Sequence, residues 1–440
     1  MPVSIERRIL SAAGRAALFS LAAKAAIVGR DLALAMRFGR GDQVDVYLAA
    51  MALPLLVVQV VAASCATNLS PAYIEAREKR GAAAAASLVA RGTAVVLAVL
   101  GVSVVLLWLA APLVMQAVAP GFGDEKLHMA RLLLQWLAPT VMFQGMSIVW
   151  TTLLNAEGRF GWISLVPAAT PVLLVALLLG WDVDIVTVAM ATLGGAAIEA
   201  GLCAVALRRT GLPLPRWSGV AGLRGLIVES VHLGIGQAMM TGGALIDQLF
   251  ASLAGPGAVS TLSYGGKISS FLMASAASAL AVAVLPFFSE QVARRDAVGL
   301  RRSLHYWEKR ILLISIPLTL VLVAACEPMV RAIFERGHFA AADTAAVTAV
   351  QRLALLQIPF FLLGTVNGRM LSALSRNRMV VRIAAINFVM NAVLDYTFLK
   401  LFGLPGIALS TAVVYAGSCT LSSWYLRRTL RATADFSASG

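Results

Sequence analysis

The stretch RDLALAMRFGRG (residues 30–41) has a counterpart in IDQLFASLAGPG (residues 246–257), and this repetition decides the predicted fold. Matching positions share one offset of 216 residues: Asp31 and Asp247, Gly39 and Gly255, Gly41 and Gly257, Pro112 and Pro328, and Gly121 and Gly337. An ordered series of matches at one offset indicates an internal duplication. Both copies lie in apolar sequence that carries a few charges, which is typical of a duplicated membrane transporter.

The composition excludes an ordinary soluble protein. Hydrophobic residues make up 59% of the chain and charged residues 13%, and the mean hydropathy is +0.83. A soluble domain has about 25% charged residues. The apolar runs are continuous, whereas the strands of a membrane barrel alternate polar and apolar residues. The sequence therefore predicts helices that cross a membrane.

About twelve apolar segments have the roughly 20 residues that a membrane-spanning helix needs. The predicted spans are 16–36, 45–70, 83–110, 130–154, 162–181, 183–207, 225–252, 258–289, 306–326, 348–374, 380–402 and 404–427. The fold class predicted is an all-α polytopic membrane protein with two six-helix lobes related by a parallel repeat. Its predicted parts are an N-terminal lobe (1–207), a Pro-, Gly- and Arg-rich cytoplasmic linker (208–224), a C-terminal lobe (225–430) and a cytoplasmic tail (431–440).

Lysine and arginine are distributed unevenly between the loops, which predicts the orientation of the chain. With both termini in the cytoplasm, the cytoplasmic loops hold 23 cations and the opposite loops hold seven. This bias accounts for most of the net charge of +14, so the charge does not imply a nucleic-acid partner. The most basic loop, 291–310, is either a topology anchor or a surface helix against anionic lipid.

Cations also occur inside the predicted spans, where a charge near the bilayer centre costs about 2.5–3.5 kcal/mol. They are Lys24, Arg30, Arg91, Lys267, Arg352 and Arg369. Arg91 and Arg352 lie near span ends, where they can reach the interface. We interpret the remaining cations as candidate substrate-binding residues. The alternative is that they form salt bridges between helices, with Asp31, Glu199, Asp247 or Asp395 as partners.

Carboxylates in or beside the spans are candidate counter-ions or sites of cation coupling. They are Asp31, Asp45, Glu199, Asp247 and Asp395. Asp31 and Asp247 match in the repeat, which favours a shared structural role at the first helix of each lobe. The histidines and cysteines have no metal-ligand spacing, so neither a metal nor a cofactor is predicted. We expect the membrane potential or an ion gradient to supply the driving force.

Several motifs have the order and spacing of one known family. They are Lys24, Arg30-Asp31, Phe38-Gly39-Arg40-Gly41, Asp45, Leu53-Pro54, Pro71, APGF (119–122), LLNAEGRF (153–160), TPVLL (170–174), LIDQLFAS (245–252), FERGHF (334–339) and VRIAAINFVMNAVL (381–394). Each motif alone is a weak signal. Together they resemble the MurJ/MviN-type lipid II flippase family, a branch of the multidrug/oligosaccharidyl-lipid/polysaccharide exporter superfamily, over most of the chain.

The resemblance implies both a fold and a function. It implies two six-helix lobes around a central cationic cavity, in the bacterial cytoplasmic (inner) membrane. The implied function is a flippase for a polyprenyl-pyrophosphate-linked saccharide, which is lipid II or an exopolysaccharide precursor, by alternating access. Carried over by position, Lys24, Arg30 and Lys267 are the cavity cations, with Asp45 as the nearby acid. The implied partners are the lipid-linked glycan, membrane lipids and proteins of cell-envelope synthesis.

The chain also departs from the family pattern. Lys24 stands where the family usually has arginine, and Gly266-Lys267 stands where it usually has Asp-Arg. Val58 and Gln59 replace a usual pair of arginines. The predicted spans include no counterpart of the last helix pair, which the family associates with a groove for the lipid tail. These departures leave the identity of the glycan open, although lysine still binds phosphate as a point charge.

Other function classes fit the sequence less well than a flippase does. A cation-coupled multidrug exporter of the same superfamily is the main alternative, but its cavity needs acidic groups for cationic drugs, whereas cations predominate here. A membrane enzyme needs a catalytic constellation in a loop, and an ATP-driven pump needs a phosphate-binding loop. The sequence has neither. A scaffold without transport activity remains an alternative because the arginine pair is missing.

Overall fold

The computed structural model describes residues 3–158, 161–213, 215–216, 222–294 and 296–438. Parts of the predicted linker (214 and 217–221), the end of one motif (159–160), Arg295 and the last two tail residues lie outside them. The described α-helices are α1 Val3–Phe38, α2 Asp42–Val57, α3 Ser64–Arg80, α4 Ala82–Leu109, α5 Ala111–Val118, α6 Asp124–Leu137, α7 Thr140–Ala156, α8 Ala169–Gly180, α9 Ile185–Arg209, α10 Arg224–Ser252, α11 Ala258–Gly265, α12 Lys267–Ala293, α13 Ala297–Ala324, α14 Cys326–Phe334, α15 Ala341–Leu355, α16 Ile358–Ala373, α17 Asn377–Phe402 and α18 Leu404–Ala438.

Helical runs in the described residues account for seven to nine candidate membrane spans. Seven runs are long and apolar enough: Asp42–Arg80, Ala82–Leu109, Trp162–Gly180, Ile185–Arg209, Ala341–Ala373, Asn377–Phe402 and Leu404–Leu430. Two bent pairs bring the count to nine: Asp124–Leu137 with Thr140–Ala156, and Val298–Ala324 with Cys326–Phe334. This confirms an all-α polytopic membrane protein. Twelve crossings remain a prediction, although each of the predicted segments is helical.

Two compact units divide the chain, Met1–Thr241 and Gly242–Gly440. The division falls within α10 (Arg224–Ser252). The predicted lobe boundary at 208–224 stays a prediction.

Small residues let the helices of the first unit approach closely, as is common in membranes. Gly145 of α7 faces Leu100 of α4, where an added Cβ would lie 2.5 Å from the leucine Cδ1 atom. Gly195 of α9 packs in the same way on Thr170 of α8, with 2.7 Å to its Cα atom. Such contacts hold α8 and α9 together beside the polar groups described below.

The core of the second unit lies where α12, α13, α16 and α18 pack together. Phe288, Met370 and Leu426 are fully buried there. A second close approach joins α11 to α15, because a Cβ on Gly265 would lie 2.6 Å from Val350 Cγ1. This contact fixes the end of α11, immediately before Lys267.

The turns that follow the repeated RDLALAMRFG and IDQLFASLAG segments both require glycine. Gly39 has φ 63° and Gly255 has φ 109°, which is backbone that other residues adopt only with strain. We expect Gly255→Ala to destabilise the protein by about 1–3 kcal/mol through the backbone alone, because no atom lies within 4 Å of the added Cβ. Thermal unfolding in detergent measures this effect.

Gly364 provides a matched control for that prediction. It lies inside α16, and its added Cβ also meets nothing within 4 Å. Gly364→Ala should therefore leave stability unchanged or raise it by about 0.5–1 kcal/mol. Equal destabilisation by both substitutions would show that the turn conformation is not the cause.

Asp184 caps the N-terminus of α9 and immediately precedes the candidate span Ile185–Arg209. Its carboxylate accepts hydrogen bonds from the backbone N–H of Thr187 at 3.0 Å and from the Thr187 hydroxyl at 2.5 Å. These bonds to Thr187 lower the pKa of the Asp184 carboxyl, the hydroxyl contributing most. The ionised form is therefore the one that caps the helix.

Because the pKa of Asp184 is lowered in the folded state, the stability that this cap contributes increases with pH. The cap stabilises the folded chain above the pKa of the unfolded carboxyl, and this stability is lost as the pH falls through the folded value. We expect Asp184→Ala to cost roughly 0.5–2 kcal/mol at pH 7, and less in acid. Asp184→Asn keeps a capping oxygen, so it should keep most of the stability but lose this part of the pH dependence in unfolding experiments. A wild-type pH profile in the asparagine variant would contradict the assignment.

Candidate functional sites in the two units

The first unit places Lys24 and Arg30 on α1, both half-buried. Arg30 forms an ion pair with the adjacent Asp31, with 2.8 Å from Nη2 and 3.1 Å from Nε to the carboxylate Oδ1. Asp31 itself is buried. Asp31 therefore contacts one edge of the Arg30 guanidinium and compensates its charge locally, as the adjacency of the two residues in the sequence suggests.

Polar side chains on neighbouring helices continue this charged region. Asp45 is completely buried in the first turn of α2, where the positive end of the helix dipole stabilises a carboxylate. Two residues later the Tyr47 hydroxyl lies 3.0 Å from the Thr192 hydroxyl of α9. Two turns beyond Thr192 on α9, the buried Glu199 accepts a hydrogen bond from the backbone N–H of Thr170 on α8 at 3.1 Å.

Lys267 in the second unit begins α12 and is half-buried. The predicted span 258–289 is thus divided at Gly266 into α11 and α12. At this position the lysine ammonium adds to the positive end of the α12 dipole. Both features favour an anion near the start of α12.

The other predicted cations occupy different settings. Arg369 is half-buried on α16, two residues after Asn367. The Asn367 amide donates to the hydroxyls of Ser422 at 3.0 Å and Ser423 at 2.8 Å, which ties α16 to α18. Arg352 is exposed and lies 3.6 Å from Glu327, so its role is a surface ion pair.

An acidic cluster lies where α10, α17 and α18 meet, with Asp395 completely buried and Asp247 half-buried. Asp247 accepts hydrogen bonds from the Asn391 amide at 2.9 Å and from the Thr411 hydroxyl at 3.4 Å. Asp395, one turn after Asn391, faces the Asp247 carboxyl and accepts a hydrogen bond from Ser410. The repeat mates Asp31 and Asp247 therefore make different contacts, one on its own helix and one across three helices.

The donor atoms of this cluster fit a small hard cation. Carboxylate, amide and hydroxyl oxygens are the ligands that such cations prefer. Asn391 Oδ1 is buried and has no hydrogen-bond partner among the described residues, and the Asp395 carboxyl contacts the Asp247 carboxyl. Buried polar atoms of this kind require a partner. Asp247, Asp395, Asn391 and Thr411 would hold the cation, which would neutralise two carboxyl groups that otherwise repel each other.

Sequence reasoning named the two aspartates of this cluster but missed Asn391, Thr411 and Ser410. The VRIAAINFVMNAVL motif contains Asn391, four residues before Asp395, so the pair faces one side of a helix. This four-residue spacing was the sequence signal that could have identified Asn391. Among the other site residues, Tyr47 and Thr192 carry no distinguishing pattern.

Comparison with known proteins identifies the family. A sequence model of the family described as "Lipid II flippase MurJ" matches residues 34–437, a range that starts after Lys24 and Arg30. A probable lipid II flippase MurJ from Synechocystis sp. is 27% identical over 96% of this chain and 82% of its own length. The lipid II flippase MurJ of Burkholderia cenocepacia is 24% identical over 95% of this chain and 82% of its own length.

Solved structures share the fold. A lipid II flippase MurJ in an inward closed conformation superposes with a TM-score of 0.78 at 18% identity, covering 93% of this chain and 87% of that chain. An inward-facing multidrug resistance transporter of the MATE family gives a TM-score of 0.75 at 15% identity, covering 95% of this chain and 99% of that chain. At these identities the likeness concerns the fold alone. On the family match, the chain belongs to the lipid II flippase MurJ family, which makes it a membrane transporter rather than an enzyme, as its sequence predicts.

Proposed function

We propose that this chain moves a polyprenyl-pyrophosphate-linked saccharide, lipid II or a related envelope precursor, across the inner membrane by alternating access. The observation that carries this proposal is the presence of half-buried cations, Lys24, Arg30 and Lys267, in apolar helices of both units. Family membership supports the same substrate class. Lipid II as the cargo would place the protein in peptidoglycan biosynthesis.

The chemistry of a pyrophosphate explains the choice of side chains. A phosphorylated headgroup that leaves water needs countercharge, because ion interactions strengthen and hydration is lost in a medium of low dielectric constant. Arg30 contacts Asp31 through Nε and Nη2. A guanidinium has five N–H groups, so others remain to donate to phosphate. Lys267 contributes a point charge at the start of α12.

The architecture that we propose for this cycle has twelve crossings in two six-helix lobes, with both termini in the cytoplasm. The helical segments and the excess of cations in the predicted cytoplasmic loops support it. Labelling of single cysteines in the loops from each side of intact cells tests the orientation. The predicted contacts with other envelope-synthesis proteins remain a proposal for pull-down experiments.

The acidic cluster of Asp247 and Asp395 supports coupling to a cation. Binding of a proton or a metal ion there would change the charge that α10, α17 and α18 bury. A charge that crosses the membrane potential gains about 2.3 kcal/mol per 100 mV, which is enough to reset a transporter. The residues Asn391 and Thr411 would set the selectivity of the cluster through their oxygen atoms.

A reconstituted flipping assay tests the proposed substrate. Proteoliposomes that contain the purified chain should translocate a fluorescent polyprenyl-pyrophosphate saccharide faster than empty vesicles. In a separate test, bacteria that express the chain should gain no resistance to cationic drugs. Drug resistance without flipping would instead favour the multidrug exporter.

A further inference from the structure

The exposed face of α13 changes character within about one turn. In its first half the helix exposes four cations: Arg301, Arg302, Lys309 and Arg310. Beyond them it exposes aliphatic side chains: Leu313 (66%), Ile314 (65%), Leu320 (62%) and Val321 (64%). A helix that exposes cations and then large aliphatic groups enters the hydrocarbon at the change. The membrane surface therefore lies close to Arg310.

Two arginines near this surface are stacked on exposed aromatic rings. The Arg310 guanidinium carbon lies 5.1 Å from the centroid of the Tyr306 ring, one turn earlier on α13. The Arg428 guanidinium carbon lies 5.6 Å from the centroid of the Trp424 ring on α18. Tyr306 is 52% exposed and Trp424 is 54% exposed. Tyrosine and tryptophan favour the headgroup layer, because one end of each ring system is apolar and the other is polar.

An ion pair between α13 and α18 places the two stacked arginines at similar depth. Glu308 of α13 accepts hydrogen bonds from Arg427 at 2.8 Å and from Ser423 at 3.2 Å, both on α18. Arg310 and Arg428 lie two residues and one residue away from this link. At 1.5 Å rise per residue, their depths differ by no more than about 5 Å. Both side chains therefore lie in one headgroup layer.

The two stacked arginines differ from Arg427 in whether a nearby carboxylate compensates their charge. The Glu308 carboxylate compensates Arg427, whereas no carboxylate in the described part of the chain lies within 4 Å of Arg310 or Arg428. The rings restrict both guanidinium groups without neutralising them. A guanidinium held in this way can donate two parallel hydrogen bonds to a phosphate.

We propose that the Tyr306–Arg310 and Trp424–Arg428 pairs bind the phosphodiester of an anionic phospholipid, such as phosphatidylglycerol, from the surrounding bilayer. The ligand is a resident lipid, because both pairs lie on exposed helix faces and the first adjoins the exposed aliphatic side chains of α13. The aromatic rings orient the arginines for the phosphate, so charge alone does not account for the site. The proposal is independent of the transported substrate.

Native mass spectrometry of the purified chain with equal amounts of phosphatidylglycerol and phosphatidylcholine measures the preference for the anionic lipid. A guanidinium that donates directly to the lipid phosphate contributes roughly tenfold or more in affinity, so R310Q/R428Q should lower the preference at least about tenfold. Y306L/W424L keeps every charge and should still lower it several-fold. Inorganic phosphate at millimolar concentration should not displace the lipid, because it lacks the acyl chains.

Arg376 and Arg378 provide the matched control, since both are exposed on the second unit and lack a stacked ring among the described contacts. R376Q/R378Q removes the same charge and should leave the lipid preference nearly unchanged. An equal loss in this control, or an unchanged preference in Y306L/W424L, would overturn the proposed sites in favour of diffuse charge. Circular dichroism and gel filtration check that each variant is folded.

Discussion

Asp395→Asn is expected to weaken cation binding by roughly 10- to 100-fold and to remove most cation-driven transport. The substitution removes a completely buried carboxyl from the cluster, and a charge-assisted contact of this group with a cation would contribute about 1.5–3 kcal/mol. Titration of flipping activity with sodium ions, potassium ions and pH measures the effect. A response to pH alone would identify the coupling ion as a proton.

Two further variants make this prediction specific. Thr411→Val keeps the side-chain shape and removes only the hydroxyl near Asp247, so a smaller shift of about fivefold is expected. Asp182→Asn changes an aspartate whose side chain is 92% exposed, and it should have no effect on cation dependence. If Asp395→Asn retains the cation and pH dependence of the wild type, the acidic cluster is not the coupling site.

Alanine at Lys24, Arg30 or Lys267 is expected to reduce transport by about 10- to 100-fold, for the loss of one charge-assisted phosphate contact. Growth of a flippase-depleted bacterium that depends on this chain provides the measurement, with membrane expression checked for each variant. Lys267→Arg should retain function, since the charge is kept. Arg30→Lys should retain less, because lysine lacks the planar fork that contacts Asp31.

Arg352→Ala is the matched control for those substitutions. It removes a cation from an exposed ion pair with Glu327, and surface pairs contribute little. Its growth should equal that of the wild type. Equal growth of the three alanine variants and the control would mean that the half-buried cations form only structural contacts.

The helical segments were predictable because apolar runs of membrane length determine them directly. Each predicted segment is helical, and the family resemblance read from the glycine, proline and charge motifs is confirmed by the family match. Local breaks were not predictable. The span 258–289 is divided at Gly266, and a π-helical turn, Val58–Ala63, interrupts the run from Asp42 to Arg80. Both breaks depend on how neighbouring helices pack.

The composition of the candidate sites was only partly predictable. Charge inside apolar sequence identified Asp247 and Asp395 separately, because such charges are costly unless they have a role. The partners of Asp247 are far away in the chain: Asn391 is 144 residues and Thr411 is 164 residues from it. A polar residue in a span gives no local sign of which helix it faces. Their convergence follows from the packing of α10 against α17 and α18.

Direct binding of a soluble short-chain polyprenyl pyrophosphate to the purified chain tests the central claim, that half-buried cations hold the phosphorylated headgroup. Calorimetry on the wild type, Lys267→Gln and Lys267→Arg separates charge from shape. We predict that Lys267→Gln binds about 10- to 100-fold more weakly and that Lys267→Arg binds nearly as well as the wild type. Unchanged affinity in Lys267→Gln, with the same result for Lys24→Gln and Arg30→Gln, would contradict the account.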